Sequence, residues 1–455
     1  MGSQVLRRLD GGAYFLFLAI VFLVVLGAFG GASRGDEIQQ TVVRAAAIGA
    51  IAAALWPLDL AAFPNARGAV AGIALVYILL LAQLLPLPPD LWARMPGHDI
   101  YRPVAEQTHS VGWRPWTLSP DLTMNSVAAL LPATAIGLLT LALDFRGRLV
   151  LAQWIVGVAC VSAVLGLLQL GSGGASLHLF RTSSENSAVG LFANRNHQAA
   201  LMACSLPIVA AILSIRLRDG EGLGRLYGLA GITVLLLMAL AATGSRMGLL
   251  LGLVGAVSAL TIYAVTVHPS AKLAGRRFWL AGAAASIAGL APISILLMRS
   301  GAVTRLASDP IDQTRVAALQ PMLATVQAFF PFGAGFGTFD PVYRHFEPDS
   351  LLSTIYLNQA HNEPVQLAIE GGLPALLLLL LFLGWWVRAA VRSVRPRESI
   401  SRRALGMAMT ATCLTLMLSS LVDYPLRTPL LSGLFTIACV ELVRSKRPPS
   451  VPHAS

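Results

Sequence analysis

Four short polar clusters interrupt an otherwise apolar chain, and their residue types suit the binding of an anion. They are Asn194-Arg195-Asn196-His197, Thr243-Gly244-Ser245-Arg246, His361-Asn362-Glu363-Pro364 and Asp423-Tyr424-Pro425-Leu426-Arg427. Each leads into an apolar run. Asn196, Ser245 and Asn362 are residue types that cap exposed backbone N–H groups, and Pro364 suits a first helical turn. A helix start carries partial positive charge, and each of these adds an arginine or a histidine. If the four starts converge, they form a site for a strongly anionic group such as a diphosphate.

A second pattern follows the third cluster. Glu363, Gln366 and Glu370 stand at i, i+3 and i+7, so they share one helix face. A glutamate two turns into a membrane helix is costly unless it lines a polar cavity or is paired. The stripe predicts a wet pocket just below the membrane surface.

Plainer readings compete. A single arginine at a membrane edge is more often a snorkelling anchor. Asn362 alone is only a cap, and His345 and His109 read as incidental loop histidines. Gly333, Gly335 and Gly337 suggest a phosphate cradle only weakly, because no lysine or strand context accompanies them. The four clusters together are a stronger signal than any one alone, and they indicate an anion site rather than a reaction.

The elements that must position these residues are membrane helices. Of the 455 residues, 12% are charged and 56% hydrophobic, against about 25% charged in a soluble domain. The apolar residues come in blocks long enough to cross hydrocarbon about 30 Å thick. They predict an all-α polytopic membrane protein with about twelve spans. We place these near 13–30, 42–62, 69–87, 124–143, 149–170, 197–215, 226–243, 246–266, 278–297, 365–387, 404–422 and 427–443. The first run has no clear cleavage site after it and reads as an anchor. Cys160, Cys204, Cys413 and Cys439 sit in apolar runs without metal-ligand spacing and read as small buried hydrophobes.

The net charge of +11 would suggest nucleic acid in a soluble protein; here it encodes topology. Basic clusters at Arg7-Arg8, Arg146/Arg148, Arg216/Arg218/Arg225, Lys272/Arg276/Arg277, Arg388 to Arg403 and Arg444/Lys446/Arg447 all fall on one side. The positive-inside rule makes that side cytoplasmic. Both termini are then cytoplasmic, and the four polar clusters face outward. The chain reads as one membrane domain over 1–455, with a large outer loop at 298–364 and a disordered cytoplasmic tail at 444–455. A helix near Ile311–Phe329 is expected inside that loop. Trp92, Trp113 and Trp116 in the loop 88–123 suit an interfacial segment.

Gly190-Leu-Phe-Ala-Asn-Arg-Asn-His-Gln-Ala-Ala200, Thr243-Gly-Ser-Arg-Met-Gly248, Pro331 to Phe339 and His361 to Gly372 occur in the same order as in the O-antigen ligase family. This family includes bacterial surface-polysaccharide polymerases. The resemblance runs from about residue 125 to 443. Ala375 stands where the family more often has Gly, Thr or Tyr. The resemblance implies a membrane glycosyltransferase of GT-C-like architecture in the bacterial inner membrane, with a large periplasmic loop. Its donor is a glycan on undecaprenyl diphosphate. The acceptor is lipid A–core in ligases, or a second lipid-linked repeat in polymerases. Transfer needs no metal or other cofactor. Carried onto this chain, Arg195, Arg246 and Arg315 bind the diphosphate, and His361 stands near the acceptor hydroxyl. Asn194, His197, Ser245, Asn362, Glu363, Glu370, Asp423 and Arg427 are supporting residues.

The chemistry requires stabilisation of the leaving diphosphate, which arginines supply, and a proton acceptor, which a neutral imidazole supplies. A helix amino terminus disfavours imidazolium and so suits a base. No Asp-X-Asp motif lies on the outer side. The rivals are a transporter of lipid-linked glycans and a structural membrane scaffold. The confinement of the clusters to one face, without matched broken helices in two halves, disfavours a transporter. A scaffold leaves His361 and Glu370 unexplained.

Overall fold

The structure, a computed structural model, describes residues 2–34, 38–56, 66–107, 112–172, 177–181, 187–218, 223–267, 317–352, 357–395 and 399–443. The expected span 278–297, Arg315, His109, the first part of the loop 298–364 and the tail 444–455 lie outside these residues.

The described chain is helical apart from one two-stranded ladder. The first helices are α1 (Gly2–Phe29), α2 (Ile38–Leu55) and α3 (Arg67–Ala82). Strand β1 (Pro86–Leu87) pairs antiparallel with β2 (Arg114–Pro115), and the short helices α4 (Pro89–Ala93) and α5 (Arg102–Gln107) lie between them. Then come α6 (Pro120–Ala129), α7 (Leu131–Ala142), α8 (Phe145–Gly171), α9 (Arg195–Arg218), α10 (Leu223–Ala242) and α11 (Arg246–Val267). After them come α12 (Leu319–Phe329), α13 (Phe339–Tyr343), α14 (Glu363–Val394), α15 (Ile400–Ser419) and α16 (Pro429–Val443).

Among the described residues, seven helical segments are long and apolar enough to cross a membrane, and three shorter apolar helices accompany them. The chain is a multi-pass membrane protein. Eleven of the twelve expected spans overlap described helices, and one of them is divided. The span expected at 124–143 is divided at Leu130 into α6 and α7. Pro132 begins the second piece, where its missing N–H costs nothing. The helix expected over 311–329 is described from Leu319.

Helix α9 is the buried axis of the bundle. It is lined by Ala199, Ala200, Ala203, Cys204, Ala210 and Ala211, all with little or no exposure. Helix α11 meets it through small residues. A Cβ on Gly248 would come within 2.5 Å of the Ala199 Cβ, and one on Gly255 within 2.4 Å of the Ala203 carbonyl. Lipid supplies no hydrophobic drive between helices, so such close backbone approach is what holds them. Cys204 and Cys413 are buried and all four cysteines are free. At the opposite end of the bundle from His361, Arg148 at the start of α8 meets Glu441 near the end of α16 at 2.7 Å, both nearly buried.

Helix α14 is two helices joined at a kink. Gly372 has φ 58° and ψ −149°, a conformation essentially restricted to glycine. The loop 331–337 plugs the break. Ala334 N–H donates to the Ile369 carbonyl at 2.8 Å, Gly335 N–H to Glu370 at 2.9 Å, and Leu373 N–H to Pro331 at 2.8 Å. Gln83, at the end of α3 and fully buried, donates to the Glu370 carbonyl and accepts from Phe336 N–H. The first piece, Glu363 to Gly371, is thereby fixed to the rest of the molecule through protein hydrogen bonds.

Candidate active site

The four polar clusters meet, and Asp423 is their hub. Its side chain is 1% exposed. One carboxylate oxygen accepts from Asn194 Nδ2 at 3.1 Å and Asn196 Nδ2 at 2.7 Å. The other accepts from Tyr424 N–H at 3.0 Å and lies 3.1 Å from His361 Nδ1. His197 Nε2 approaches the same oxygen at 4.0 Å. The second cluster joins through Ser245, whose hydroxyl donates to Asn196 Oδ1 at 2.7 Å. Residues far apart in sequence are thus tied within one hydrogen-bonded group.

The caps are close to expectation, with one shift. Ser245 Oγ accepts from Gly248 N–H at 2.8 Å, and Asn362 Oδ1 from Val365 N–H at 3.1 Å. At α9 the cap is Asn194, whose Oδ1 accepts from Asn196 N–H at 2.8 Å. Asn196 was expected to cap; its amide instead bridges Asp423 and Ser245.

His361 is held in an uncommon backbone state, with φ 50°. Left-handed conformations are rare outside glycine and, when found, mark a residue fixed by its surroundings. Those surroundings are visible. Gln366 Oε1 accepts from Ala360 N–H at 2.9 Å, and Leu357 and Ala360 pack with Met322, Phe339, Tyr343 and Ile369 in a small core. The imidazole lies on Tyr424, with ring centroids 4.7 Å apart. Asp423 accepts from donors on both oxygens, so His361 Nδ1 must carry its proton toward the carboxylate. The Nε2 lone pair is then available to accept a proton.

The carboxylate stripe departs from expectation. Glu370 is 1% exposed and paired, rather than lining a wet pocket. It accepts from Gln366 Nε2 at 2.9 Å and Phe339 N–H at 3.3 Å, and Arg427 stands 3.5 Å away. Arg427 also grips Glu363 with two nitrogens, at 2.8 and 3.2 Å. Burial opposes its charge, but the two carboxylates outweigh that and push its pKa above the usual arginine value. The glycine-rich loop is not a phosphate cradle either. The N–H groups of Gly333 and Gly335 are spent on backbone carbonyls, and a Cβ on Gly335 would collide with Thr117.

Arg195 is the first residue of α9 and half-buried, between two asparagines bound to Asp423. Arg246 is the first residue of α11 and exposed, next to Ser245. Both therefore stand beside the hub in the chain. Arg315 lies outside the described residues.

Residues 231–380 match the O-antigen ligase family. That O-antigen ligase match starts in α10 and ends within α14, taking in Arg246, the plugging loop, His361 and Glu370. Arg195, Asp423 and Arg427 fall outside it, but Asp423 meets His361 and Arg427 meets Glu363 and Glu370 within it. The family comprises membrane glycosyltransferases of ligase or polymerase type that act on lipid-linked glycans. No curated protein matches the chain.

Sequence reasoning missed Gln83 and the paired role of Gln366, and it treated Tyr424 only as part of a cluster. A glutamine inside an apolar run was the available signal for Gln83. Nothing local pointed to Tyr424 as the ring beneath His361.

Proposed function

We propose that this protein is a metal-independent glycosyltransferase of the O-antigen ligase type. It moves a glycan from an undecaprenyl-diphosphate carrier to lipid A–core at the periplasmic face of the bacterial inner membrane. About twelve spans in a GT-C-like arrangement, with both termini cytoplasmic, complete this reading. The observation that carries it is the contact between His361, inside the stretch matched to this family, and Asp423 beyond it.

The roles follow from charge. Asp423 holds the proton on His361 Nδ1, so Nε2 takes the proton of the acceptor hydroxyl. The acceptor oxygen forms the new bond to the anomeric carbon as the bond to the diphosphate oxygen breaks. The departing diphosphate gains negative charge, which Arg195, Arg246 and Arg315 stabilise. Asn194, Asn196 and Ser245 keep Asp423 and the two helix starts in register. Arg427, through Glu363 and Glu370, holds the first piece of α14 and with it the His361 turn.

A second reading is a polymerase that joins lipid-linked repeats. The loop 298–364 has Arg299, Arg305, Arg315 and Arg344 against Asp309, Asp312, Asp340, Glu347, Asp349 and Glu363, which is no strongly cationic platform for phosphorylated lipid A–core. The histidine motif keeps the ligase reading first. Purified protein, given lipid-linked glycan and acceptor, should form new glycosidic bonds. Movement of the glycan across vesicles without bond formation would favour the transporter rival, and the absence of both a scaffold.

A further inference from the structure

Between Arg315 and Asp340 the chain has no charged residue, which is unusual for a helix bathed in water. Helix α12 falls in this stretch and is apolar on two sides. Met322, Thr325 and Phe329 face the protein. Leu319 and Leu323, one turn apart, are 44% and 47% exposed, and Phe330 and Phe332 continue the same open surface. Gln320 and Gln327 are exposed beside that stripe and form its polar rim.

This surface is continuous with an exposed apolar side of the bundle. Phe332 packs edge-on against Trp116, 5.9 Å between centroids. Trp116 N–H donates to the carbonyl of Leu85, just beyond α3, and Leu85 is itself openly exposed. Pro331 binds Leu373 in α14, where Leu373 and Leu377 are exposed along the spanning part. The loop after α12 therefore sits at the depth where the span begins. We infer that α12 is an interfacial helix whose Leu319, Leu323, Phe330 and Phe332 are seated among the acyl chains of the leaflet on the His361 side, with Gln320 and Gln327 toward the headgroups. A helix of this kind lies along the boundary and gains apolar burial from lipid. The opposite face of α12 supplies Met322 to the small core against the His361 turn, so the leaflet is part of that turn's support.

The test uses the intact wild-type protein in vesicles of phosphatidylethanolamine and phosphatidylglycerol. The probe is a phospholipid bearing a diazirine on its acyl chain, read by peptide mass spectrometry after photolysis. Labelling of 319–332 should equal that of 373–381 and exceed that of 340–350 severalfold. Changing Leu319→Asp with Leu323→Asp should cut labelling of 319–332 severalfold while leaving 373–381 unchanged. If wild-type 319–332 labels no more than 340–350, α12 stands in water and the inference is wrong.

Discussion

The Nδ1 atom of His361 lies 3.1 Å from Oδ1 of Asp423, although the two residues come from different helix starts. Asp423→Asn would offer an amide that can present the wrong partner to Nδ1. Transfer should then fall by about 10²-fold or more, the scale set by a positioned acid or base. His361→Ala should lose about 10²–10⁴ while inserting and binding donor normally. Single-turnover transfer and donor binding, measured on the same preparations, separate these effects. Near-normal turnover in either variant would remove the base assignment.

The arginines should govern donor use. Arg195→Ala, Arg246→Ala and Arg315→Ala should each impair donor use more than protein abundance. Lysine should rescue poorly, because it lacks the planar fork that grips a diphosphate from two sides. Activity should persist in a chelator. A strict requirement for added magnesium or manganese would contradict the assignment of charge stabilisation to arginine.

Arg427 should matter for stability as well as for rate. Its removal leaves Glu363 and Glu370 close together without their shared cation. Breaking such a pair costs about 3 kcal/mol, so Arg427→Met should lower the unfolding temperature in detergent. Adding Glu370→Gln should recover part of the loss, since one uncompensated charge then disappears. If the double variant is no more stable than the single one, the pairing is not the cause.

Acid should loosen the segment around β1 and β2. His98 is fully buried beside Trp92, and burial lowers its pKa from 6.5 to about 4. Unfolded, the imidazole takes up a proton near 6.5; folded, it resists until about 4. Its contribution is therefore complete above pH 6.5 and is lost as pH falls from there toward 4. Limited proteolysis of 86–118 should speed up over that window. His98→Phe should flatten the response, and an unchanged pH dependence in that variant would show another group to be responsible.

Deletion in the native host distinguishes the two transfer reactions. Loss of a ligase should leave full-length glycan on undecaprenyl diphosphate and bare lipid A–core. Accumulation of single repeats would instead establish the polymerase reading.

Much of the architecture was legible because it depends on local pattern. Apolar runs located the described helices, although α14 runs on to Val394, past the expected end at 387, and Ser245 and Asn362 cap where their types predicted. Charge partners were harder to read. Arg427 and Glu363 are separated by 64 positions and Asn194 and Asp423 by 229, and no periodicity encodes which of several polar residues will meet. The stripe ending at Glu370 was correctly placed on one face. Its solvation was misjudged because its partner, Arg427, comes from another helix start. Gln83 was lost inside a run read for hydropathy alone, which averages away a single polar side chain.

The break at Gly372 also bears on how the protein is made. The part from Leu373 to Val394 reaches roughly 33 Å as a helix, enough by itself to cross the hydrocarbon. The piece from Glu363 to Gly371 adds nothing to that crossing, and its terminal carbonyls are completed by a loop from the preceding segment. Insertion into the bilayer and completion of the His361 turn are therefore separate events. A nascent chain can be threaded through the membrane before residues 331–337 settle into the gap and complete the backbone hydrogen bonds at Ile369 and Glu370.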